Sequence, residues 1–310
     1  MTKLAALSAP NFHSSGDLLA DRRFAYADAL THDGDYDGAA DLIAQVIERV
    51  PDWPVAWFRL GEVDALRGRG AASLDAFARA LALDPADELG AALHLARSGV
   101  APLPRSAPQA YVRSLFDQYA GRFDAHLQDG LAYRGPDLLY KAVSDLAART
   151  FEHVIDLGCG TGLGGAAFRP LATTLTGVDL SSGMIAAARA KKLYDRIEIA
   201  EVHAFLAAEP AASADLIIAA DVLCYVGDLA PILHLAHGVL ASGGFFAATL
   251  QKGTDRFELG VDLRFAHAPA YVQEVAAAQG FAPAVLAEAA IRRDAGADVA
   301  GLVVVLQKHD

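Results

Sequence analysis

The run Val154-Ile155-Asp156-Leu157-Gly158-Cys159-Gly160-Thr161-Gly162 limits the possible folds of this chain more than any other segment. An apolar strand carries an acid near its end, and a glycine-rich turn then leads into a helix. Gly158, Gly160 and Gly162 carry no side chain, so the backbone can turn through positive φ and a ligand can lie directly against it. About twenty residues further on, Val178-Asp179-Leu180 ends a second apolar run with another acid, whose carboxylate can accept both hydroxyls of a ribose. Strand, glycine turn, helix, strand and acid make the nucleoside-binding arrangement of a doubly wound sheet.

The chain around this unit keeps the same rhythm. Apolar runs of strand type occur at 153–157, 175–178, 196–199, 216–219, 244–250, 284–286 and 302–306, with helical patterns at 182–191, 229–240 and 270–279. Alternation of this kind predicts an α/β fold with a doubly wound, mostly parallel sheet of seven strands, Rossmann-like, covered on both faces. The last two strands lie close enough in sequence to pair antiparallel at an edge.

Glycines alone do not choose the ligand, because Gly160-x-Gly162-x-x-Gly165 also fits a dinucleotide fingerprint. Asp156 decides the matter. A carboxylate two residues before the first glycine suits a ligand with an ammonium group and no phosphate, which describes S-adenosylmethionine. The segment Asp156–Gly162 resembles the first motif of class I S-adenosylmethionine-dependent methyltransferases. That resemblance implies a cofactor site made of Asp156, Gly158, Cys159, Gly160 and Gly162, with Asp179 and Leu180 at the ribose. Glu201 and Val202 would lie near the adenine, although the family more often has an aspartate there, and Asp221 would line the cleft. Phe116–Asp124 resembles the leading helix of small-molecule methyltransferases, which folds over the cofactor. Asp221-Val222-Leu223-Cys224-Tyr225 is not the quartet that amino-group methyltransferases use on adenine or glutamine.

Upstream, Trp57-x2-Leu60-Gly61, Ser73-x3-Phe77, Ala80 and Pro85 resemble a tetratricopeptide unit of ~34 residues. One unit earlier, Ala39, Ile43 and Pro51 hold the register of Ser73, Phe77 and Pro85. Asp64 stands in place of the usual tyrosine, and Arg23 where a tryptophan is usual. Residues 1–104 are expected to form this helical module and its linker, and 105–310 the methyltransferase domain. Three prolines at 102, 104 and 108 keep the linker extended. Two repeats seldom bury enough apolar surface alone, so the module is expected to lean on its neighbour, self-associate or bind a protein partner. A methyltransferase domain joined to such repeats resembles a bacterial group of predicted methyltransferases.

Composition excludes several classes. Against 26 basic side chains stand 38 acidic ones, a net charge of −12 that repels phosphate backbones, and the densest basic cluster is only Lys191-Lys192. Nucleic acid and membrane are therefore not expected as partners. Residues 1–8 are too short and too weakly apolar for a secretory signal, and two cysteines make no disulfide framework, so the chain reads as cytoplasmic. Cys159 and Cys224 read as space-filling thiols, and His234 with His237 as a helix face; no metal is expected. Candidates for handling a small-molecule methyl acceptor are Tyr119, Tyr225, Arg264, His267 and Tyr271. Each could instead be a surface or structural residue. The segment 251–270 is long and polar enough to arch over the strand ends, and Arg264 within it would suit an acidic acceptor. A nicotinamide-dependent oxidoreductase and a non-catalytic S-adenosylmethionine-binding protein remain the alternatives.

Overall fold

The computed structural model describes residues 14–119, 133–294 and 297–309. The chain divides into two compact units, with the division between Pro104 and Arg105. The first is all-α. Its helices are α1 (Leu18–Asp33), α2 (Tyr36–Arg49), α3 (Pro54–Leu66), α4 (Gly70–Leu83) and α5 (Ala91–Arg97). Asp17 caps α1 by accepting from the amides of Leu19 and Ala20, and Pro54 opens α3 where its missing N–H costs nothing. A Cβ on Gly61 would lie 2.8 Å from the Phe77 ring, and the Ser73 hydroxyl donates to the Gly61 carbonyl at 2.7 Å. These small residues let α3 and α4 approach closely. One unit upstream, Ala39 and Ile43 are fully buried. Asp64 is also buried and pairs with Arg67 at 3.0 Å. The last helix, α5, is short. Asp87 has φ 57° and takes the amides of Ala91 and Ala92 on its carboxylate, so the helix begins only after Gly90.

In the second unit, α6 (Gln109–Tyr119) and α7 (Gly135–Leu146) precede β1 (Phe151–Leu157). Then follow α8 (Leu163–Phe168), β2 (Ala172–Asp179), α9 (Ser182–Lys191), β3 (Arg196–Ile199), α10 (Val202–Ala208) and β4 (Ala214–Ala219). The unit closes with α11 (Ala230–Val239), β5 (Leu240–Lys252), β6 (Phe257–Leu259), β7 (Phe265–His267), α12 (Pro269–Ala278), β8 (Phe281–Asp294) and β9 (Ala297–Lys308). Strands run in the order β3-β2-β1-β4-β5, all parallel, with β9 antiparallel to β5 and β8 beyond it. Successive residues face opposite sides. Val154, Leu216 and Ile218 meet Leu139, Val143 and Phe168, whereas Ile155, Leu157 and Ile217 meet the helices carrying Phe205, Ile232 and Val275.

Two expectations need correction. Segment 251–270 is not a bare loop: β6 and β7 form an antiparallel hairpin in it, and β7 extends β5 in parallel. The edge pair is also far longer than its apolar runs. Alanine-rich β8 pairs with β9 from Phe281 to Asp294, because cross-strand partners such as Val303 and Val305 supply the packing that alanine lacks.

Candidate active site

A cavity of about 210 Å³ opens at the carboxyl ends of β1, β2 and β4, where strand order reverses on either side of β1. Its floor is the glycine turn. Gly158 and Gly160 have φ of 60° and 54°, and a Cβ at Gly158 would collide with Val222. The backbone face there is bare because a side chain would fill it.

Asp156 is 1% exposed and lines the cavity. Burial pushes its carboxyl up to about 7, with Asp179 adding to the effect and a hydrogen bond from Tyr194 opposing it. The Tyr194 hydroxyl donates to Asp156 Oδ2 at 2.7 Å. Among the described residues no cation pairs with Asp156. At the end of β2, Asp179 Oδ2 accepts from the Gly160 amide at 2.9 Å and Oδ1 from the Ser181 amide at 2.8 Å. The carboxylate keeps acceptor capacity for a diol. Burial raises its pKa, and those amides work against the rise. Glu201 caps α10 through the Ala204 amide and meets His203 Nδ1 at 2.7 Å. Burial pushes its pKa up, but the His203 and amide bonds outweigh this and leave it lowered. Buried glycine backbone, two acids without counter-cations and a further acid beside the cleft fit S-adenosylmethionine. They do not fit a diphosphate.

The other end of the cavity carries an ion network. Asp221 holds the strained φ of 59° and pairs with Arg292 at 3.0 Å and with Arg264 at 3.5 Å. Arg292 is 4% exposed and also faces Asp262 at 3.6 Å. The Arg264 guanidinium lies 5.7 Å over the Tyr225 ring. Arg264 Nη1 and the Tyr225 hydroxyl are both buried without a hydrogen-bond partner, and both residues line the cavity.

The cavity therefore brings together Asp156, Gly158, Cys159, Gly160, Asp179, Leu180, Glu201, Val202, Asp221, Tyr225 and Arg264. It does not include Gly162, Tyr119, His267 or Tyr271. Gly162 instead begins α8 in the left-handed conformation. His267 is fully buried, pushed down to about 4 by burial, and its Nε2 bonds the carbonyls of Val226 and Gly227. Tyr271 stacks on it, and its hydroxyl accepts from the Leu229 amide and donates to Asp228. Both hold the turn after β4 from behind. Tyr119 is the last described residue of α6, and Ala120–Asp124 of the expected leading helix lie outside the described residues. The rest of α6 does face the cavity through Gln109, Val112 and Phe116. Asp117 ties it to the β2–α9 turn by accepting from the Ser181 hydroxyl at 2.5 Å.

Sequence reasoning missed Tyr194, Tyr133, His203 and Arg292. A break in the β8–β9 register between Ala290 and Arg292 is the kind of bulge that re-aims a side chain, and it has no composition signature. Gly165, the glycine that completed the dinucleotide fingerprint, has another cause: a Cβ there would strike the Tyr194 hydroxyl. Cys159 is held protonated by burial and the nearby acids, and Cys224 is pushed up to about 12 by burial beside Asp221. Neither is poised as a nucleophile.

Residues 155–246 match the family model described as a methyltransferase domain, and residues 20–63 match that of the tetratricopeptide repeat. The α/β unit thus carries the match to a methyltransferase domain, and the helical unit the match to a tetratricopeptide repeat. Among particular relatives, the Delftia acidovorans trans-aconitate 2-methyltransferase is 33% identical over 111 residues, 34% of this chain and 41% of that protein. The Triticum aestivum Hsp70-Hsp90 organizing protein is 34% identical over 116 residues, 37% of this chain and 17% of that protein. The chain thus spans less than half the length of either relative. In fold, the unit resembles the Burkholderia thailandensis 1,6-didemethyltoxoflavin-N1-methyltransferase, solved with 1,6-didemethyltoxoflavin and S-adenosylhomocysteine. The TM-score is 0.51 at 20% identity, over 68% of this chain and 94% of that one.

Proposed function

We propose that the protein transfers a methyl group from S-adenosylmethionine to a small acidic acceptor. The observation that carries this reading is Arg264. Its Nη1 is buried at the cavity wall with no hydrogen bond, and its nearest acid, Asp221, stands at 3.5 Å while bonded more closely to Arg292. A buried guanidinium nitrogen without a hydrogen bond is costly unless an anion completes it. When bound, S-adenosylmethionine supplies an electrophilic sulfonium methyl. Asp156 would hold its ammonium, Asp179 its ribose and Glu201 the adenine side. Arg264 and the Tyr225 hydroxyl would orient the acceptor oxygen, and a carboxylate or enolate there needs no general base. We assign this chemistry to residues 105–310, acting in the cytoplasm, and protein binding or self-association to the repeats of 1–104.

A panel of small carboxylates and neutral analogues tests the proposal by S-adenosylhomocysteine release. Acids should be turned over in preference. Arg264→Ala should lower kcat/KM for them by about a hundredfold while leaving S-adenosylmethionine affinity within about twofold. Turnover of neutral acceptors that is indifferent to Arg264→Ala would remove the acidic-acceptor reading.

A further inference from the structure

Tyr194 reaches Asp156 along a path that two elements leave open. Its backbone is fixed first. The neighbouring Asp195 amide donates to the Leu175 carbonyl at 2.9 Å, and the Asp195 carboxylate takes the Leu175 amide and Arg169, both at 2.7 Å. The ring then passes β2 at Gly177, where a Cβ would lie 2.8 Å away, and α8 at Gly165, where a Cβ would overlap the hydroxyl. It ends on Asp156 Oδ2. Packing alone would be served by phenylalanine. The hydroxyl is the part that needs a reason, and its acceptor is the one carboxylate of the glycine motif.

We propose that Tyr194 is a positioning residue for the cofactor: its hydroxyl holds the Asp156 carboxylate ionised and fixed in the rotamer that meets an ammonium group in the cavity. This rests on the cofactor reading above. The groups that face Asp156 are Asp179 from β2, Cys159 from the glycine turn, Tyr133 ahead of α7 and Tyr194 itself. All are acids or neutral, so Tyr194 is the side chain that favours the ionised form, with the Gly165 amide acting in the same direction from the backbone. Without ligand the carboxyl sits near 7. An arriving ammonium pulls it down, so binding is tight only where the proton can leave.

Calorimetric titration of the full chain with S-adenosylmethionine between pH 5.5 and 8.5 provides the test. Wild-type affinity should fall about tenfold per pH unit on the acid side, while the ligand's own amino group, near ~8, sets the alkaline limb. Tyr194→Phe should move the acid limb up by about one unit, giving an affinity loss of about tenfold at pH 6.5 and convergence with wild type at high pH. 5′-Methylthioadenosine has the nucleoside without the amino acid and should bind both proteins alike at every pH. An unchanged acid limb in Tyr194→Phe would overturn the proposal. So would equal losses for both ligands at all pH, which indicate simple damage to the fold. If Tyr194→Phe does not fold, the Asp156→Asn/Tyr194→Phe double variant removes the buried charge as well; an acid limb that persists there also overturns the proposal. Failure of the wild type to bind either ligand would instead sink the cofactor reading, and this inference with it.

Discussion

Each unit buries an acid whose carboxyl is driven up to about 7, and the two acids have opposite surroundings. In the repeat unit Glu62 meets Arg59 Nη1 at 2.6 Å, while Asp28 meets Arg59 Nε at 2.9 Å. Arg59 is only 5% exposed, so α1 and α3 side chains form a short ion triad, hydrogen-bonded at Glu62 and in ion-pair contact alone at Asp28. In the α/β unit Asp156 is as deeply buried but is met by the Tyr194 phenol and the Gly165 amide, with no cation beside it among the described residues, and its open side is a cavity. A buried charge whose partner lies within the fold contributes to register and packing. A buried charge whose surroundings stop at a hollow marks a ligand of opposite sign. A similar distinction separates Arg292, hydrogen-bonded to Asp221 at 3.0 Å, from Arg264, whose 3.5 Å approach to Asp221 leaves its Nη1 without a hydrogen bond.

The most severe break in this contrast is to remove the cation on the closed side. Arg59→Ala leaves Glu62 buried and Asp28 half-buried without their cation, and loss of one member of a buried ion pair costs about 3–5 kcal/mol. Denaturant unfolding should show the repeat unit melting first, with S-adenosylmethionine affinity unchanged. A stability loss below 1 kcal/mol, roughly what an exposed pair is worth, would mean the triad is no more than a surface pair.

On the open side, the largest expected effect is at Asp179. Alanine there removes an acceptor for ribose and also orphans the Gly160 and Ser181 amides that shape the turn. Asp179→Ala should weaken S-adenosylmethionine by about 1.5–3 kcal/mol, ten- to a hundredfold in Kd by calorimetry. Because the residue stands at a strand end, global stability should change much less than affinity. Equal losses in both would put Asp179 with Arg59 as a structural acid.

The sequence made the open side more legible than the closed one, for a physical reason. The acids of the cavity sit at or just beyond strand ends, and a run of apolar residues followed by glycine or acid marks each end. Asp156 and Asp179 could therefore be placed from local pattern, and Asp221 through the family resemblance. Partners that come from afar leave no such mark. Tyr194 reads as an ordinary aromatic beside a basic pair, and Arg292 lies in an alanine-rich stretch whose strand depends on β9. His267 and Tyr271 were misplaced for the converse reason. Their segment leaves the sheet at the right edge, but the hairpin of β6 and β7 turns both side chains under the turn after β4, away from the cavity. Arg264, from the same hairpin, does line it.

The smallest expected effect asks whether the two regions are independent. The extended stretch at 105–107 belongs by its bonds to the α/β unit. The Arg105 carbonyl accepts from the amides of Gly227 and Asp228, and the Ala107 amide donates to the Tyr225 carbonyl at 2.8 Å. Ser106 and Ala107 also line the cavity. A shortened chain beginning at Leu103 keeps these bonds and should bind S-adenosylmethionine within about twofold of the full chain, under ~0.5 kcal/mol. One beginning at Pro108 removes them, frees Tyr225 on its backbone side, and should lose several-fold more in acceptor KM than in cofactor affinity. The comparison needs only two truncations, circular dichroism to confirm folding, and one titration each. If the Leu103 chain folds yet binds no cofactor, the repeats take part in the site, and the boundary we place at 104/105 does not divide the two functions.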